Sequence, residues 1–163
     1  MRRTIDVSAA SRPEPVVGAY IFDKRGRLLL IRTPKLDNKW MVPGGHIERG
    51  EHVLDAAKRE AYEETGLRVR PLGVVAVAES VSATSGKFSR RHFIYFETVC
   101  RAVSSRVRID NVEATAYKWF DIGDALSAME YPVVRRVIRE YAEQRARGRV
   151  RYIEVLHQKN AKL

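Results

Sequence analysis

Apolar residues in this chain fall into short runs with two different spacings. "VVGAYIF" (16–22) and "RLLLIRT" (27–33) are compact apolar stretches separated by the turn residues "DKRG", so they predict adjacent strands of a hairpin. "KWMVPGGHIERGE" (39–51) interrupts the pattern, and Pro43, Gly44, Gly45 and Gly50 predict a shaped loop instead of a regular helix. From His52 to Thr65 the period changes: Val53, Leu54, Ala57 and Ala61 recur at helical spacing, and Gly66 supplies a stop. The glutamates of this helix fall largely off its apolar stripe. "LRVRPLGVVAVAES" (67–80) and "RRHFIYFETVCRAV" (90–103) are rich in β-branched and aromatic residues and predict a second strand pair, divided by "VSATSGKFS" (81–89). "EATAYKWFDI" (113–122) ends in another short strand. "DALSAMEYPVVRRVIREYAEQRARG" (124–148) predicts one or two helices with Pro132 at a boundary. "RVRYIEVL" (149–156) fits either a strand or a continued helix. Strands interleaved with two helical regions suggest an α/β fold, a mixed sheet covered by helices on its faces.

Composition narrows this picture to one folded domain. The 163 residues are enough to bury a continuous core without disulfides or a structural metal, and 45% apolar content is ordinary for a globular protein. Residues 1–15 are polar and carry Pro13 and Pro15, so they read as a poorly ordered lead-in to a domain spanning 16–163. No apolar run reaches the ~18 residues of a membrane span, and the two N-terminal arginines have no apolar stretch behind them. A cytoplasmic location is therefore expected. The single cysteine, Cys100, lies in an apolar run and reads as a buried strand residue.

The 30 basic against 20 acidic residues give a net charge of +10, which favours polyanionic ligands. Much of the excess lies C-terminal to Val133, where aromatics for base stacking are sparse. That segment reads as a solvated helix face and tail before it reads as an RNA-binding surface.

Candidate chemistry concentrates in "REAYEET" (59–65). Glu60, Glu63 and Glu64 stand at i, i+3 and i+4 of the predicted helix, where each like-charged pair costs roughly 0.2–0.5 kcal/mol. Hard divalent cations take oxygen ligands and bridge carboxylates to phosphates, so a bound cation turns that repulsion into attraction. Around these glutamates, "GHIERGEHVLDAAKREAYEETGL" (45–67) reads Gly, five residues, Glu, seven residues, Arg-Glu, an apolar residue, any residue, Glu-Glu, any residue, Gly, an apolar residue. This stretch resembles the Nudix box at every specified position. The one mild departure is Ala61, where a larger aliphatic residue is common. The flanking hairpin, the "PGG" entry and the later strands and helices also suit that family's α/β/α sandwich, with a mixed β-sheet between helices.

The resemblance implies hydrolysis of a nucleoside diphosphate linked to another group, by water attacking phosphorus, with Mg²⁺ as cofactor and Mn²⁺ as a substitute. Glu60, Glu63 and Glu64 match the metal ligands, with the Gly44 carbonyl as a further candidate. Glu60 is also expected to help deprotonate the attacking water, and Arg59 and Glu51 match positions that orient the glutamates by ion pairing. A further carboxylate from a later loop is common in the family. Glu113, just before the strand ending "KWFDI", is the leading candidate, with Glu79 and Glu97 as weaker ones.

Trp40, Phe88, Tyr95 and Phe96 are candidates for base stacking, and Arg32, Arg90, Arg91 and His92 for holding phosphates, although a lone aromatic in a strand is more often a core residue and basic surface residues are plentiful here. "VSATS" (81–85) lacks the proline associated with ADP-ribose pyrophosphatases and the tyrosine associated with diadenosine polyphosphate hydrolases, and the aromatic-proline signature of NADH pyrophosphatases is absent. The expected substrate is thus a small nucleotide, either a nucleoside triphosphate or a nucleotide sugar. Two alternatives stay open: an RNA 5′-end pyrophosphohydrolase, suggested by the basic balance, and a nucleotide-sensing regulator without catalysis, opposed by the complete glutamate set. No membrane partner is expected. Family members are often dimers, so a homodimer is one expected assembly.

Overall fold

The first run of the hairpin is longer than its apolar part. In the computed structural model, which describes residues 12–81, 91–109, 111–144 and 151–155, strand β1 (Glu14–Phe22) takes in Glu14 and Pro15 from the predicted lead-in. Both pair in parallel with the start of β6 (His92–Ala102), Glu14 opposite Phe93 and Pro15 opposite Ile94. Residues 1–11, the 82–90 connection with Phe88 and Arg90, and the 156–163 tail lie outside the described residues.

Alternation along β1 sends Val17, Ala19 and Ile21 to one face and Tyr20 to the other, and all four are buried. β2 (Leu28–Thr33) returns antiparallel to β1. The segment read as a loop contains two further strands of three residues each, β3 (Lys39–Met41) on β2 and β4 (Gly44–His46) on β1. β5 (Val69–Val81) and β6 form the second antiparallel pair. β7 (Ala116–Phe120) joins β2, and β8 (Arg151–Val155) adds in parallel to β5, which settles the strand-or-helix alternative for that segment. The main path across the sheet is β3-β2-β1-β6-β5-β8. Its parallel β1–β6 and β5–β8 pairs make it mixed.

Helices cover both faces. α1 (Val53–Thr65) ends where Gly66 takes a left-handed conformation and donates its N–H to the Tyr62 carbonyl at 2.7 Å. Its Ala56, Ala57 and Ala61 pack with Val17, Ala19, Ile21, Leu29 and Leu67. On the opposite face, α3 (Pro132–Gln144) places Val134, Val137 and Ile138 in a core with Tyr20, Leu28, Leu30, Val99 and Phe120. Pro132 opens α3 at its first position, where the missing N–H costs nothing, and separates it from α2 (Ile122–Ala128). This is the α/β/α sandwich with a mixed central sheet. Cys100 is buried beneath α1, and burial pushes its thiol up to about 11. No helix among the described residues is long and apolar enough to cross a membrane.

Candidate active site

The buried face of α1 is not purely apolar. Glu60 and Glu64 share it with the alanines, at 9% and 5% exposure, and only Glu63 stands in solvent. This corrects the expectation that the glutamates lie off the apolar stripe. The reason is steric: alanine side chains let the helix approach the β1–β4 strands closely, and the glycines of β4 leave room for carboxylates. A Cβ on Gly45 would lie 2.5 Å from Glu60 Oε1, so only glycine admits the Glu60 carboxylate there. The Gly44 N–H donates to Glu64 Oε2 at 2.8 Å. The group of Gly44 that meets a glutamate is thus its amide.

Arg59 ties the carboxylates to the loop. Its Nε and Nη2 donate to the two oxygens of Glu51, both at 2.9 Å, in a bidentate fork. Nη2 also reaches the His46 carbonyl at 2.9 Å. Nη1 bridges Glu60 at 2.7 Å and Glu63 at 3.0 Å. The fork lowers the pKa of Glu51, which also accepts from the Glu48 N–H, and it holds Arg59 charged. Glu51 and Arg59 are thus brought together, and Arg59 carries the ion-paired chain on to Glu60 and Glu63.

Burial dominates the electrostatics of the other two glutamates. It raises the Glu60 pKa against the pull of Arg59, and it pushes Glu64 up to about 8, opposed by the Gly44 amide and reinforced by Glu60. Glu113 adds to both shifts, so the β6–β7 loop carries this carboxylate within electrostatic reach of the α1 pair. Its Oε1 accepts from Lys35 Nζ at 2.7 Å. Lys35, in the 3₁₀ turn Pro34–Leu36, in turn feels Glu64 and Glu60. Sequence reasoning did not single out Lys35. It lies 29 positions before Glu64, and only the β2–β3 turn brings it near.

The remaining candidates have other engagements. Glu79 pairs with His92 at 2.6 Å. Glu97 is buried on the α3 side beside Tyr20, where burial pushes it up to about 7. The Arg32 guanidinium lies 4.7 Å over Trp40, whose ring meets Phe120 edge-on. Arg91 ion-pairs with Glu14 and covers Phe93. Tyr95 is largely buried beside Phe93, and Phe96 is half-buried.

The donor set is all oxygen, arranged on successive turns of one helix and on one loop, which fits a hard divalent cation better than a thiolate- or imidazole-seeking one. Among the described residues no three acidic or imidazole side chains converge as a ready-made cage. Arg59 and Lys35 instead occupy the carboxylates. The family's model, the NUDIX domain, matches residues 12–141. The chain belongs to the Nudix family. It is 31% identical over 129 residues to the m7GpppN-mRNA hydrolase NUDT17 of Xenopus laevis, covering 73% of this chain and 42% of that protein. Against the first four curated relatives it spans between 31% and 42% of their lengths. Among Nudix structures, the MutT hydrolase of Burkholderia pseudomallei superposes with a TM-score of 0.65 at 26% identity, covering 80% of this chain and 98% of that one. The MutT protein of Methanosarcina mazei Go1 gives 0.66 at 21% identity, over 84% and 99%.

Proposed function

We infer that this Nudix protein is a divalent-cation-dependent pyrophosphohydrolase acting on a nucleoside diphosphate linked to another group, with a nucleoside triphosphate or a nucleotide sugar as substrate. The observation that carries the reading is the pairing of Arg59, anchored by the Glu51 fork, with Glu60 and Glu63 while Glu64 is held by the Gly44 amide. Glu60, Glu63 and Glu64, with Glu113 and the Gly44 carbonyl as further donors, are the groups proposed to hold Mg²⁺ or Mn²⁺. When bound, the cation supplies neutralisation of phosphate charge and acidification of coordinated water. The chain's own residues do the rest. Burial raises the proton affinity of Glu60, and it pushes Glu64 up to about 8, which suits Glu64 to take a proton near neutral pH. The Gly44 amide fixes the rotamer of Glu64, and Arg59 keeps Glu60 and Glu63 aligned. Lys35 stands beside the carboxylates as a cation suited to a phosphate oxygen.

Action on an RNA 5′ end is the second reading, favoured by the name of the Xenopus relative, an m7GpppN-mRNA hydrolase. A panel of nucleoside triphosphates, ADP-ribose, nucleotide sugars, dinucleotides, capped RNA and 5′-triphosphate RNA, each with Mg²⁺ or Mn²⁺, separates the readings. Turnover of a small nucleotide at rates above any RNA is the expected result. Tight nucleotide binding with no turnover across the panel would replace the enzyme with a sensor.

A further inference from the structure

Strand register lays out the α3 face of the sheet in rows. One row reads Gly44, Gly18, Glu97 and Ala76 across β4, β1, β6 and β5, and the row beside it reads His46, Val16, Tyr95 and Ala78. Residues directly opposed on neighbouring strands share a face. Ala76 and Ala78 lie in the core under α3 and Tyr95 packs against it, which fixes the face. The first row starts in the candidate active site, because the Gly44 amide holds Glu64.

Gly44 and Gly18 bring no side chain to this face. Glu97 reaches into the room they leave: its carboxyl occupies the place that a Cβ on Gly18 would take, so it leans across β1 toward β4. Two strand spacings, about 10 Å, separate the Gly44 and Glu97 backbones, a length that a nucleoside covers with its phosphates at Gly44. Glu97 is 3% exposed, and burial and the Tyr20 hydroxyl act on it with no cation among the described residues to answer its charge. Such a carboxyl is costly in the empty protein and becomes favourable when a ligand brings donors to it. Tyr95 stands in the next row, where burial and then Glu97 push its hydroxyl up to about 12, so the ring and the carboxyl are close neighbours. Its ring suits the face of a base. Of the four common bases only guanine carries two adjacent N–H donors on one edge, N1–H and the 2-amino group, to meet two carboxylate oxygens. Adenine and cytosine set an acceptor nitrogen beside the amino group, and uracil sets one N–H between two carbonyls, so each leaves an oxygen of Glu97 facing a lone pair.

We propose that Glu97 reads the N1–H and 2-amino edge of a guanine nucleotide lying along the Gly44–Gly18 row, and so sets the base specificity of the reaction. The assignment rests on the reading of the protein as a nucleotide pyrophosphohydrolase; Glu97 recognises the base and takes no part in the proton transfers. Its test pairs turnover with binding. Rates with GTP, ITP, ATP, CTP and UTP in Mg²⁺ at pH 8.5 give kcat/KM, and calorimetry with GMP and AMP, which have no pyrophosphate bond to cut, gives Kd. The parent is expected to favour GTP over ATP by about 10- to 100-fold, with ITP, which lacks the 2-amino group, in between, and to bind GMP more tightly than AMP. Glu97→Gln keeps the shape and exchanges one acceptor for a donor, so most of the guanine preference should vanish in both measurements. A parent with no base preference, a preference for ATP, or a guanine preference that survives Glu97→Gln overturns the assignment. An equal fall for all five triphosphates in the variant overturns it as well, since that is the mark of a residue serving the fold alone. Preference for GMP that depends on Glu97, with neither a triphosphate nor a GDP-linked sugar hydrolysed, keeps the base site and overturns the proposed reaction.

Discussion

Glu64 and Glu97 are both carboxyls stripped of water, and they differ in what they face. Glu64 points to the Gly44 amide within the candidate active site, whereas Glu97 lies against Gly18 and the Tyr20 hydroxyl in the core under α3. Among the described residues that hydroxyl is buried without a well-formed hydrogen bond, although it lies close enough to Glu97 for the two groups to shift each other. Glu64→Gln keeps an oxygen for the Gly44 amide and removes the charge. It is expected to lower turnover roughly 100-fold or more with an unchanged circular dichroism spectrum; full activity would sink the ligand assignment. Glu97→Gln should act on stability. A carboxyl raised to about 7 is protonated in the fold while the unfolded chain ionises near 4.5, so the unfolded state gains as pH rises between those values. The amide removes that cost. Urea unfolding at pH 8 should show the variant more stable by about 1–3 kcal/mol, with the gain vanishing at pH 4.5. Glu97 carries no catalytic duty if small-nucleotide turnover survives the change.

Among the elements, β4 is the one that couples fold to chemistry. Its three residues pair with β1 through Gly18, Val17 and Val16, and the same residues present Gly44 and Gly45 to Glu64 and Glu60. Gly45→Ala places a methyl 2.5 Å from the Glu60 carboxylate, so either Glu60 turns away or β4 shifts on β1. A loss of about 1–3 kcal/mol in unfolding free energy is expected, together with a fall in kcat larger than any change in KM. The 3₁₀ turn behaves differently. The Lys35–Glu113 pair is solvent-exposed on both sides and contributes little to stability. Lys35→Met should therefore leave the melting temperature nearly unmoved while lowering kcat/KM about tenfold, or ~1.4 kcal/mol.

These elements also show what the chain reveals locally. α1, its Gly66 stop, the strands β1, β2, β5 and β6, and the Glu51–Arg59 pairing all follow from periodicity and a contiguous motif. β4 does not, because two glycines and a histidine have no apolar alternation and become a strand only by register against β1. Nor does the burial of Glu60 and Glu64, since an apolar stripe of short alanines conceals how closely a helix can approach. Lys35, His46 and the Glu14–Arg91 pair are joined to the site only by topology.

For the molecule as a whole, two opposing sets of carboxyls shape its response to pH. Glu14, drawn down to about 2 by Arg91 and His46, and Glu51, lowered by Arg59, stabilise the fold above about pH 4.5, and that stabilisation is lost as pH falls through their folded values. Glu97 and Glu64, raised by burial to about 7 and about 8, act the other way. Their cost is absent below the unfolded value and grows as pH rises toward 8. The second pair is the more deeply buried, so its effect, a few kcal/mol in all, outweighs the first above neutrality. The cation-free protein is accordingly expected to melt highest near pH 5 and several degrees lower at pH 8.5. On the proposed site, a cation held by Glu64 and its neighbours would take the place of a proton there, so it would bind more tightly as pH rises and stabilise by mass action, about 2.7 kcal/mol at a hundredfold excess over its Kd. Melting curves with EDTA or with Mg²⁺ should thus diverge at pH 8.5 and converge at pH 5. Glu64→Gln should abolish most of the Mg²⁺-dependent rise while itself raising the melting temperature in EDTA. Equal Mg²⁺ stabilisation of parent and variant at pH 8.5 would place the cation elsewhere on the protein.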